Sequence, residues 1–169
     1  MKYGPLWQDI FISSKNFLKI GFLSELTPRQ KYIRFAGIKR LALAKFVVHK
    51  YAKKNPKNDI LYVVAISIAL YEEQRYPEYT LVNQAVECLK HSYNKKIVAF
   101  GNFILRKICA DTDLFQYKFN WEQIRWNAPL WWINHLKKQV DDNHLQNILV
   151  DSLLQHPPLN VRLNKPQYI

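Results

Sequence analysis

The side chains of this 169-residue chain that could do covalent or acid–base chemistry are few, and their spacing suits none of it. Cys88 and Cys109 are the only cysteines. Their spacing matches no metal motif, and each falls on an apolar helical face or end, where a reduced, inert thiol is the expected state. His49, His91, His135, His144 and His156 lack the one-turn spacing that sets two imidazoles around a metal. Glu72 and Glu73 are neighbours, so on a helix they point to different faces and make a poor acid–base pair. The glycines Gly4, Gly21, Gly37 and Gly101 stand alone, so no glycine-rich loop cradles a phosphate. What remains is charge. Between Glu25 and Asp59 there is no acidic residue, and Arg29, Lys31, Arg34, Lys39, Arg40, Lys45, Lys50, Lys53, Lys54 and Lys57 fall in that interval. A one-signed block of this kind suits a polyanion, because each phosphate neutralised releases condensed counterions. The alternatives are a merely solvated basic surface and an acidic membrane surface.

These residues must be carried by helices. Four glycines are too few for the tight turns of an all-β architecture, and 49% hydrophobic residues with a net charge of +12 describe a folded basic protein, so the expected class is all-α. Residues 5–22 form a helix candidate. Leu26-Thr27-Pro28 signals the start of the next, with Thr27 as N-cap and Pro28 at the first helical position. The helical pattern continues to about residue 53, with a break near Gly37. Asp59 opens a helix whose residues 60–71 are apolar nearly all round, which predicts the most buried element. The stretch 79–107 reads as two helices joined by a polar turn, with Thr80 and Asn94 as caps. Gly101 inside the second points to a close helix crossing, since glycine there costs ~1 kcal/mol relative to alanine. Beyond residue 111 come a polar stretch and a cluster of Trp121, Trp126, Trp131 and Trp132, expected to fill a core more than to stack on bases. Helices follow from Pro129 to about residue 140 and over 142–155. The longest apolar run, 60–70, is far short of the ~20 residues that span a bilayer. No signal-peptide pattern opens the chain. A cytoplasmic protein without membrane or metal partners is expected.

The stretch 79–107 also resembles the C-terminal helices of the NusB-like fold. Pro77, Val82, Asn83, Gln84, Ala85, Val86, Glu87, Leu89 and Lys90 match the first half of that family's pattern. Phe100, Asn102, Ile104, Leu105 and Arg106 match the second. Upstream, Arg29, Ala36, Gly37, Ile38 and Arg40 match, with Gln30 where Asp is usual, so the ion pair of that position is not expected. Downstream, Pro129, Trp131, Pro157, Pro158, Val161, Arg162, Leu163 and Asn164 resemble the tail that follows this domain in bacterial methyltransferases acting on a cytosine of small-subunit ribosomal RNA at carbon 5.

The resemblance implies a NusB-like RNA-binding domain over 1–110, then a helical linker and the start of a methyltransferase region over 111–169. It implies RNA as partner, small-subunit ribosomal RNA above all, through Arg29, Lys31, Arg34, Lys39 and Arg40, and secondly Lys53, Lys54 and Lys57. Arg40 matches a family position and could instead meet a carboxylate or a helix terminus. The family's enzymes use Cys residues in Pro-Cys motifs and bind S-adenosylmethionine. Neither Pro-Cys motif nor cofactor loop occurs here, so the expectation is a truncated form without catalytic or cofactor-binding residues. The other reading is a stand-alone module, similar to antitermination factors that bind RNA with a protein partner.

Overall fold

The eleven consecutive side chains from Ile60 to Leu70 include no charged group, ten of them are buried, and the helix they form is wrapped on every side. The structure, a computed structural model, describes residues 4–19, 22–52, 56–111 and 122–153. Its helices are α1 (Leu6–Lys15), α2 (Pro28–Ile38), α3 (Leu41–Tyr51), α4 (Asn58–Glu72), α5 (Glu78–Lys90), α6 (Lys95–Ala110), α7 (Glu122–Trp126), α8 (Leu130–Lys137) and α9 (Asp142–Leu153), with a 3₁₀ turn at Phe22–Glu25. No strand occurs among the described residues, and none of their helices is long and apolar enough to cross a membrane. Helices α1, α2, α3, α5 and α6 all pack on α4.

Local chemistry accounts for most boundaries. Thr27 and Gln30 form a reciprocal capping box at the start of α2, with Pro28 in the first turn. Asn94 accepts from the amide of Ile97 at 3.1 Å and caps α6. Thr80 does not cap α5. The fixed φ of Pro77, with an extended ψ of 142°, starts that helix at Glu78 and leaves Thr80 inside it. Helix α1 stops at Lys15, short of the expected residue 22. The Asn16 side-chain Nδ2 donates to the carbonyl of Ile12 at 2.9 Å, and Arg34 donates to the carbonyls of Asn16, Phe17 and Lys19, so the turn after α1 has donors for these acceptors. At its other end, the side chain of Gln84, a residue of the NusB-like pattern, accepts from the amide of Trp7 at 3.0 Å.

Two glycines mark close crossings. A Cβ on Gly37 would sit 2.6 Å from Ile66 Cγ1 and 3.2 Å from its backbone Cα, so α2 lies directly on α4. A Cβ on Gly101 would sit 2.2 Å from Leu89 Cδ1, the crossing of α6 on α5 expected from its place in the sequence.

The break between α2 and α3 is held from far along the chain. Asn127 sits in the left-handed region at φ 49°, which asparagine tolerates better than most residues. Its Oδ1 accepts from the Ala42 amide and its Nδ2 donates to the Ile38 carbonyl, both at 2.9 Å. Around that joint the tail builds a second small core of Trp126, Ala128, Ile133, Leu145 and Leu149. Of the tryptophans, Trp126 is buried, Trp132 is half-buried and Trp131 is 72% exposed; Trp121 lies outside the described residues.

Candidate nucleic-acid interface

Helix α2 carries Arg29, Lys31 and Arg34 within one acid-free run, but acids from elsewhere reach it. Arg29 Nε lies 3.2 Å from the buried carboxylate of Asp9 on α1, and its Nη1 donates to the Gly4 carbonyl at 3.2 Å. Gln30, standing where an acid is usual, donates to the same Asp9 at 2.9 Å. Arg34 is 5% exposed, and its guanidinium donates to three backbone carbonyls at 2.8–3.0 Å. A phosphate could reach it only by breaking that set, so its job is structural rather than RNA-facing. Arg40 pairs with Glu72 at the end of α4, the carboxylate contact foreseen for it. Lys31 is half-buried. Lys39 is half-buried as well; burial first, and the adjacent Arg40 second, hold its ammonium below the ordinary lysine range. Lys57 is exposed just before α4, and Lys53 and Lys54 lie outside the described residues. The α2 cations therefore do not form one bare face.

Helix α3 differs. Lys45, His49 and Lys50 project from it into solvent. They border a groove of about 760 Å³ between α3 and α7, floored by Ile38, Leu41, Ala42, Phe46, Ile124, Ala128 and Pro129, with Gln123 and Asn127 as its other polar lining. Among the described residues no carboxylate lines it. The groove exists because α3 turns off the axis of α2. Leu43 and Val47 go inward, while Leu41 and Ala42 are left half-covered.

At the far end of α3 the surface becomes aromatic. Tyr51 meets Phe103 of α6 edge-to-face, with ring centroids 5.7 Å apart, and Phe103 is 45% exposed. Lys50 Nζ stands 5.5 Å from the Tyr51 ring centroid and Lys107 Nζ 5.9 Å from that of Phe103. Asp111 comes within 3.9 Å of Lys50, a loose pair on a side chain that stays 44% exposed. Sequence reasoning passed over Phe103, Lys107, His49 and Gln123. One signal was present: Phe103 lies off the apolar stripe of Ile97, Phe100, Gly101, Ile104, Leu105 and Ile108, where a polar residue would be usual.

The cysteines offer no nucleophile. Burial pushes the Cys88 thiol up to about 12 and the Cys109 thiol up to about 11, so neither forms thiolate near neutral pH. Among the described residues no three His, Cys, Asp or Glu side chains come together as metal ligands would. The interface can bind a polyanion and stack a ring.

No family model and no solved structure matches the chain. Over 115 residues it is 29% identical to the probable ribosomal RNA small subunit methyltransferase B of Coxiella burnetii (strain RSA 493 / Nine Mile phase I), an alignment covering 66% of this chain. The chain spans about a quarter, 26%, of that relative's length. It is thus a distant homologue of a methyltransferase that acts on small-subunit ribosomal RNA.

Proposed function

We propose that this chain is a NusB-like RNA-binding domain of the ribosomal RNA cytosine-C5 methyltransferase kind, which positions ribosomal RNA for methyl transfer carried out elsewhere. The observation that carries this reading is the similarity to the small-subunit methyltransferase. The all-α architecture and the groove, whose described charged lining residues are all basic, agree with it. Phosphate contacts fall to Lys31, Lys39, Lys45, Lys50, Lys53, Lys54 and Lys57, while Arg29, Arg34 and Arg40 brace the scaffold that presents them. S-adenosylmethionine and the cysteine nucleophile belong to a catalytic domain of the family, because these residues include neither Pro-Cys motif nor glycine-rich loop.

Fluorescence anisotropy with a labelled single-stranded fragment of small-subunit ribosomal RNA tests the reading. Affinity should fall steeply with salt, each phosphate contact adding roughly 0.7 to the log–log slope. Absence of binding at low salt, or an affinity indifferent to salt, refutes it. Calorimetry on this chain should show no uptake of S-adenosylmethionine.

A further inference from the structure

We infer that the groove between α3 and α7 takes one unpaired nucleotide of the bound RNA, with its base on the apolar floor and its phosphate between Lys45 and Lys50. The inference rests on the RNA-binding reading and says where and how that binding discriminates. Three observations carry it. The first is size: about 760 Å³ lies within the roughly 300–1,000 Å³ of pockets that admit small-molecule-sized groups. The second is the division of chemistry along the groove. Leu41, Phe46 and Ile124 supply an apolar bed for a ring face, and the exposed Gln123 amide supplies both a donor and an acceptor for a base edge. Among the described lining residues the chargeable groups, Lys45, His49 and Lys50, are all basic, which complements a phosphodiester.

The third is continuity. From Lys50 the surface runs to Tyr51, Phe103 and Lys107, two rings in edge-to-face contact with one ammonium group near each, and the exposed Phe103 ring is one on which the next base can stack. Sequence-specific RNA recognition works in this way, on unstacked bases laid against side chains, whereas a duplex keeps its bases inside. An acidic amphipathic peptide would satisfy the floor and the charge, but it has no use for the ring platform.

The test compares a short single-stranded RNA of mixed sequence, bearing 2-aminopurine, with the same RNA annealed to its complement. The full chain should bind the single strand more tightly and change its 2-aminopurine fluorescence. Ala42→Phe, which fills the groove, should weaken single-strand binding on the order of ten-fold, the loss of one stacked base, and leave duplex binding unchanged. Lys45→Ala with Lys50→Ala serves as a surface variant if Ala42→Phe does not fold. It should weaken binding and abolish the fluorescence change. Equal affinity for both RNAs, with neither set of changes altering the fluorescence, overturns the groove while RNA binding itself stands. Absence of RNA binding by the unaltered chain sinks both. A synthetic Leu/Glu amphipathic helix that binds tightly, is blocked by Ala42→Phe and leaves RNA binding untouched would give the groove to a protein partner and end the proposal.

Discussion

Helices α2 and α3 come from the same acid-free interval, yet Arg29, Arg34 and Arg40 on and beside α2 are held by Asp9, three backbone carbonyls and Glu72, whereas on α3 Lys45 faces solvent and Lys50 meets Asp111 only loosely and stays exposed. Residue type explains part of the difference. A planar guanidinium with five fixed donors can join several carbonyls or a carboxylate at a helix end, and an ammonium is more strongly hydrated and stays outside. Placement explains the rest. Helix α2 lies between α1 and α4, which supply the acids and the unpaired carbonyls, while the outer face of α3 looks onto the groove. A charge block in sequence therefore states what a segment carries, and the neighbours it meets in the fold decide how much of that charge is left for a partner.

The contrast can be broken at several points. Arg34→Ala should have the largest effect, a loss of ~3 kcal/mol in urea unfolding, because the carbonyls of Asn16, Phe17 and Lys19 just after α1 lose their donor. If that variant keeps its stability and loses RNA affinity, α2 is part of the interface after all. Gly37→Ala should cost about 1–3 kcal/mol despite alanine's better helix propensity, since the new methyl meets the backbone of Ile66 and α2 cannot slide off α4. Gly101→Ala should cost less, because its methyl meets only the end of the Leu89 side chain; thermal melts of the pair check the order. Lys45→Glu with Lys50→Glu should leave the melting temperature nearly unchanged and weaken RNA binding by roughly ten-fold, with a flatter salt slope. A larger loss from the same reversal at Lys137 and Lys138 would reduce the α3 surface to bulk electrostatics. The smallest effect is expected for Asn127→Asp. The carboxylate still accepts from Ala42 but cannot donate to Ile38, which costs ~1 kcal/mol and should appear as a lower urea midpoint.

What could be read in the sequence was what neighbours along the chain decide. The burial of α4 follows from an apolar run with no polar face, the starts of α2 and α6 from Thr27, Pro28 and Asn94, and the tight crossing at α6 from Gly101. The break after α2 was placed correctly near Gly37 for an incomplete reason. Gly37 serves the contact with Ile66, and the side chain that holds the break open is Asn127, 85 and 89 positions from its two partners. The candidate site was legible as a charged interval and illegible as a surface. Asp9 lies before the interval and Glu72 after it, so no local pattern discloses that they meet Arg29 and Arg40. Leu41 keeps helical spacing with the buried Ala44 and Val48, and yet, at the start of α3 where the axis turns, it and Ala42 become part of the floor of a groove.

The Asn127 joint makes one amide proton a reporter for a distant event. The Ala42 N–H belongs to the first turn of α3, where no preceding helical carbonyl is available to it, so its shelter from solvent exchange comes from a side chain of the tail. Whenever the tail lets go, that proton exchanges while the amides of α4 stay protected. Its exchange rate, read in deuterium oxide, would measure the opening free energy of the tail against the six-helix body. Because the groove needs both walls, the same number would bound the fraction of molecules ready to receive a ligand there.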